Sequence, residues 1–242
     1  MRSELNVAYG AKHMITPNLD KLANTGVTFR STFTPFAICS ASRNSFLSGR
    51  LPDSTQVYNF LTDFRHSVNW DNATDKSLPE YFKDNGYLTL GAGKTYHPHH
   101  PPNFDPPSWS TDRPYWNPYV GTDWMPSLCP TNSWVCVQPT NSSTARPFNA
   151  SSFADEYETQ HTLDNLDYAA QQFHDKDRPF FIALGVTKPH AKWNVPQYFY
   201  DQYMAQDAPL PENPYSPKNV PDIAFTAEFD GKVNFTLGSN TT

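Results

Sequence analysis

The chain has 242 residues, 38% of them hydrophobic and 15% aromatic, which suits one domain, or a domain and part of a second, with a real core. With a net charge of -6, nothing reads as the basic footprint that a nucleic-acid binder needs, and no apolar run approaches membrane-spanning length. The first residues lack the apolar core of a signal peptide, and no internal repeat is present.

The first predicted helix covers 17–24. Thr16 is placed to cap it, Pro17 fits its first turn, Leu19, Leu22 and Ala23 share a face, and Gly26 can end it. Val27, Phe29, Ser31 and Phe33 then alternate with other residues, as in a strand. A second helix opens at Cys39 and runs to about residue 47. Ser77 caps a short helix that stops at Gly86, and a strand follows over 87–92.

Residues 97–150 are rich in Pro, Trp, Tyr, Asn and Ser and have little periodicity, so they read as a long insertion or substrate-side loop. Order returns at Asp155, where Tyr157, Leu163, Leu166, Ala170 and Phe173 approximate one apolar helical stripe. The run at 180–186 is apolar and bounded by turn signals, which predicts a strand buried on both faces. Helix, strand, helix, strand is the α/β pattern with a largely parallel sheet. The Pro- and Asn-rich tail from residue 208 gives no element.

Secretory features are present. Asn72, Asn141, Asn149, Asn234 and Asn240 each open a glycosylation sequon. Cys129 and Cys136 are close enough in a Pro-rich stretch for a disulfide, leaving Cys39 as a reactive thiol; three reduced cysteines is the equal alternative on count.

Three polar clusters each follow an apolar segment: Cys39 to Arg43, Gly93 to His97, and Lys188 to His190. In open α/β sheets ligands sit beyond the carboxyl ends of the strands. Cys39 opens a helix, where free N–H groups and the dipole favour an anion. Two lysines, an arginine and two histidines converging there suit a sulfate or phosphate ester. Each cluster also has a plainer reading. A Cys before a helix is often a small buried hydrophobe, Arg43 fits a surface ion pair, the His-rich stretch at 97–100 fits a solvated loop, and Lys188 to His190 fits an ordinary turn.

Cys39-Ser40-Ala41-Ser42-Arg43 resembles the type I sulfatase signature C-x-(P/A)-S-R in its Ala form. Thr16 to Ala23 resembles the family's first-helix motif, and Ser45 to Asp53 resembles the stretch after the signature. Tyr81 to Tyr87 leading into Gly93-Lys94-Thr95-Tyr96-His97-Pro98, the run Phe180 to His190, and more weakly Tyr58-Asn59-Phe60, are similar to the iduronate-2-sulfatase branch. The resemblance covers most of 5–200.

It implies a three-layer α/β sandwich with a mainly parallel central sheet, as in the alkaline phosphatase superfamily, here incomplete. It also implies hydrolysis of sulfuric esters on sulfated sugars or glycosaminoglycans. A formylglycine-generating enzyme would oxidise Cys39, and one hydroxyl of the hydrated aldehyde would attack sulfur. By the same resemblance Arg43 would hold the diol and Lys94 would bind a sulfate oxygen. His97 would move a proton at the diol, and His190 would contact sulfate or protonate the leaving oxygen. Lys188 would bind substrate. The family's cofactor is calcium, for which Cys39 as formylglycine would be one ligand. The family's Asp-Asp pair and its later Asp-His or Asp-Asn pair have no counterpart in these residues, which leads to the expectation that the sequence is a fragment. Location would be lysosomal or secreted. Two other expectations remain: a phosphoester or phosphonate hydrolase of the same superfamily, and an inactive glycan-binding relative.

Overall fold

Two parallel strands, with a long helix between them in sequence, organise the molecule. The computed structural model describes residues 5–116, 135–138, 154–190, 193–204 and 218–219. The chain divides into two units, Met1–Ala205 and Gln206–Thr242, and every element below lies in the first. Sequon Asn72 sits exposed in a turn; the other four sequons, the pairing of Cys129 with Cys136, and nearly all of the tail lie outside the described residues.

In chain order the helices and strands are α1 (Asn6–Tyr9), α2 (Pro17–Thr25), α3 (Cys39–Ser48), α4 (Pro52–Thr55), α5 (Leu78–Asp84), β1 (Leu88–Gly93), β2 (Val135–Gln138), α6 (Ala154–Lys176), β3 (Phe180–Gly185), β4 (Trp193–Pro196) and α7 (Gln197–Met204). β1 pairs with β3 in parallel, Leu88 opposite Phe180 and Gly93 opposite Gly185. β2 pairs with β4, also in parallel. Local signals act where expected. Ser77 and Glu80 form a reciprocal capping box at the start of α5. Pro17 opens α2 and Gly26 closes it, although the Thr16 hydroxyl bonds the Asp20 carboxylate instead of capping.

The β1/β3 sheet is the middle of three layers. Leu88, Leu90 and Ile182 pack against Ala169 of α6 on one face. On the other, Phe181 and Ala183 meet an aromatic cluster of Phe64, Trp70, Tyr96, Phe104 and Trp109 with Leu47 of α3. Gly91 gives Trp109 and Tyr115 room to lie against the strand, since a side chain there would meet Tyr115 at 2.6 Å. Part of the stretch expected to be structureless is therefore core: residues 102–109 turn through short 3-10 segments and supply two of its aromatic rings.

Three expectations change. Residues 27–33 form an irregular stretch with a bend at Arg30 and Ser31, Phe29 74% and Phe33 86% exposed, because no described strand lies beside them to take their backbone bonds. β3 is only partly covered, since among the described residues it has a partner on one edge alone. The stripe of α6 read from the sequence is not the face that packs. Glu158, Thr162, Asn165 and Ala169 are the buried residues, while Leu163 and Phe173 are 49% and 51% exposed. A narrow sheet rich in small residues accepts the polar line closely, and Thr187 beyond β3 supplies Glu158 with hydrogen bonds.

Candidate active site

The site is built where β1 and β3 end. Gly93 takes φ +68, and Lys94 N donates to the Gly185 carbonyl at 2.6 Å. Both glycines are required. A Cβ on Gly185 would lie 2.0 Å from the Lys94 carbonyl carbon, and one on Gly93 would lie 2.8 Å from the Glu158 carboxyl carbon. Lys94 is thereby delivered to the interior, 2% exposed.

α3 arrives with its N-terminus at this point. Cys39 is its first residue, half-buried, at the helix end whose first N–H groups have no partner within the helix. The helix is fixed by Asn44, whose amide donates to the Ser40 carbonyl at 2.9 Å and whose oxygen accepts from Phe64 N at 2.9 Å. One turn beyond Cys39, Arg43 Nη1 donates to the carbonyl oxygens of Lys94 and Thr95. The helix start and the loop after β1 are thus bound together through a guanidinium.

The same loop carries His97. Its Nδ1 lies 2.9 Å from the Pro98 carbonyl, and its ring packs on Phe60 at 5.0 Å. Below the loop, Arg65 grips buried Asp105 with two bonds of 2.8 Å, and Asp105 also accepts from the Tyr96 hydroxyl. This network holds Tyr96 and therefore its neighbour His97.

The charges interact as a group. Burial pushes the Lys94 ammonium down and Arg43 adds to that, while Cys39 and Glu158 act in the opposite sense. Burial, then the cation of Lys94, with smaller contributions from His100 and Arg43, pushes His97 down to about 4, against the Pro98 carbonyl. His97 is neutral near pH 6 and able to accept a proton. Burial, reinforced by Asp155, pushes the Glu158 carboxyl up to about 8 despite its bonds to Thr187.

A cysteine at a helix N-terminus thus stands near an arginine, a buried lysine and a neutral histidine. The sulfatase family profile matches residues 2–236. Similar curated proteins include the iduronate 2-sulfatases of Mus musculus and Homo sapiens, 31% identical over 238 and 237 residues, each covering 92% of this chain and 39% of the relative. The N-acetylgalactosamine-6-sulfatase of Canis lupus familiaris is 36% identical over 107 residues, 40% of this chain and 20% of that protein. The chain belongs to the sulfatase family. Its layered parallel α/β architecture is accordingly the alkaline-phosphatase-like sulfatase fold, of which it spans about 39% of the length of the first two relatives.

Within this sulfatase domain the sequence-predicted residues fall into two groups. Cys39, Arg43, Lys94 and His97 are drawn together by contact or field. Lys188 and His190 stand on the turn after β3, at the same end of the sheet, with Lys188 Nζ donating to the His190 carbonyl at 3.3 Å and the histidine ring exposed. The sequence reading missed Asp155 and Glu158, which hold that turn from α6. It also missed Tyr115, whose hydroxyl donates to the Gly93 carbonyl. A helical wheel would have aligned Glu158 with Thr162 and Asn165; nothing local marks Tyr115.

Calcium requires about six to eight oxygen ligands. Among the described residues no group of three or more His, Cys, Asp or Glu is arranged to hold a metal, so these residues do not fit the ion by themselves. No described helix is long and apolar enough to cross a membrane.

Proposed function

We propose that the protein hydrolyses sulfuric esters of sulfated sugars or glycosaminoglycans in the manner of an iduronate-2-sulfatase, with the nucleophile made from Cys39 by a formylglycine-generating enzyme. The observation that carries this reading is the fastening of Arg43 to the Lys94–Thr95 backbone, which brings the signature helix and the lysine loop to one point. One hydroxyl of the hydrated Cys39-derived aldehyde attacks sulfur and the sugar alkoxide departs, taking a proton. Loss of the proton from the second hydroxyl then expels sulfate and restores the aldehyde.

Neutral His97 is suited to take that proton, and half-burial keeps it neutral. Buried Lys94 would attract an arriving ester oxygen with little screening by water. Arg43 orients the diol. Lys188 and His190, at the outer edge, meet the substrate's charge and its leaving oxygen. Calcium, the family's cofactor, would act as a Lewis acid on the sulfate and take the Cys39-derived group as one ligand. Such a reading fits a lysosomal or secreted glycoprotein.

The test is co-expression of the protein with the maturation enzyme, mass spectrometry of the Cys39 peptide, and a sulfate-release assay on sulfated disaccharides. Oxidised Cys39 and release that Cys39→Ala abolishes support the reading. Turnover of phosphate esters alone would assign the protein to the phosphoester branch. Unmodified Cys39 with sugar binding but no turnover would make it a glycan-binding relative.

A further inference from the structure

Glu158 is a fully buried carboxyl that the proposed reaction leaves unused. It is 0% exposed, on the face of α6 turned toward the sheet. Its Oε1 accepts from the Thr187 hydroxyl at 2.8 Å and its Oε2 from Thr187 N at 3.2 Å. One helical turn earlier, Asp155 Oδ1 accepts from Thr187 N at 2.8 Å and Lys188 N at 3.3 Å. The other side of the Glu158 carboxyl rests on Gly93, which has no side chain to displace it, and Lys94 follows directly. One carboxyl therefore touches the chain just before Lys94 and just before Lys188.

We propose that Glu158 is a positioning residue that braces the turn carrying Lys188 and His190 against the loop carrying Lys94, and so sets the spacing of the cations that meet the substrate's sulfate. This rests on the sulfatase reading above.

Chemistry favours a protonated brace. Two carboxyls close together on a partly buried helix face cannot both ionise cheaply, and Asp155 is among the groups that raise Glu158. A protonated Glu158 still accepts from the Thr187 hydroxyl and places no second negative charge beside Asp155. Lys94 and Tyr115 face Glu158 from the β1 side, Thr187 from the β3 side and Asp155 from its own helix, with Arg43 beyond Lys94. A glutamine keeps the size of the group and a carbonyl to accept from the Thr187 hydroxyl, while the Thr187 N–H keeps Asp155 as its acceptor. An alanine removes the group.

The experiment uses the intact matured protein, with steady-state kinetics on a sulfated disaccharide and calorimetric binding of inorganic sulfate near pH 6. Glu158→Ala should raise KM and the sulfate Kd by about tenfold with kcat changed less than about threefold, a loss of about 1.4 kcal/mol. Glu158→Gln should restore both to within about twofold. A role confined to stability would lower the folded fraction and leave KM of the folded molecules unchanged, and that outcome overturns the proposal. Should Glu158→Ala not fold, Thr187→Val removes one arm of the brace and should raise both constants about threefold; unchanged values overturn the proposal equally. Wild-type protein that binds sulfate without turnover defeats the hydrolase reading alone, because the brace is still read in Kd. Wild-type protein that neither binds nor turns over defeats both.

Discussion

Arg43 Nη1 donates to the Thr95 carbonyl at 2.9 Å, so the side chain of one helix turn fixes the backbone of a loop fifty residues away in sequence. A guanidinium presents its donors in a rigid plane, whereas an ammonium is a single point on a flexible stem. Arg43→Lys keeps the charge and loses the geometry. Sulfate release should fall by about ten- to a hundredfold in kcat/KM, the scale of misplacing reacting groups by an ångström. Steady-state kinetics within twofold of wild type would show that the fastening has no bearing on turnover.

His97 should titrate near 4. The folded value lies below the unfolded one of about 6.5, so the unfolded chain takes up the proton first. This contribution to stability is present above about pH 6.5 and is lost as pH falls through 4. Ring-proton NMR of His97 across pH 3–8 checks the midpoint, and a midpoint above 6 would contradict the burial described for its ring.

Glu158 has the opposite sign. Its folded value of about 8 lies above the unfolded one, so its contribution is fully present at acid pH, below about 4.3, and declines as pH rises through 8. The slope from one such group is at most about 1.4 kcal/mol per pH unit. Urea unfolding at pH 5 and pH 8 should show a smaller difference for Glu158→Gln than for wild type. Equal differences would mean that Glu158 is ionised in the folded protein at both values.

Arg65 is joined to Asp105 by two bonds of 2.8 Å and to Glu80 at 2.5 Å, with little of any of the three side chains exposed. Burial would lower the guanidinium, but the two carboxylates more than offset it and hold it firmly protonated. Arg65→Ala leaves buried Asp105 without its guanidinium and takes from Glu80 one of two cations, the other being Lys76 at 3.1 Å. Removing one partner of a buried pair costs about 3–5 kcal/mol, so thermal unfolding should move down by many degrees. A Tm change of only a degree or two would show that water replaces the cation there.

What the sequence disclosed was mostly local. The capping box at Ser77 and Glu80 needs only four consecutive residues, and Pro17 and Gly26 punctuate α2 by their own backbone limits. The signature Cys39 to Arg43 is a five-residue pattern whose helix forms as expected. Features that depend on neighbours were hidden. Residues 27–33 alternate as a strand does, yet alternation supplies no partner edge. The α6 stripe misled because counting apolar residues cannot reveal that Thr187, arriving from β3, offers hydrogen bonds to Glu158. Tyr115 lies outside any motif, and its bond to Gly93 exists only after the chain has folded back along β1.

Gly185 has no functional group and lies in an unremarkable apolar run. Its missing side chain nevertheless is the space that the Lys94 carbonyl carbon occupies, 2.0 Å from where a methyl would stand. A missense change there, even to alanine, adds one carbon and evicts the peptide group that orients the buried cation. Variants at this codon should therefore read as loss of activity in a screen, although a hydropathy comparison would score them as harmless.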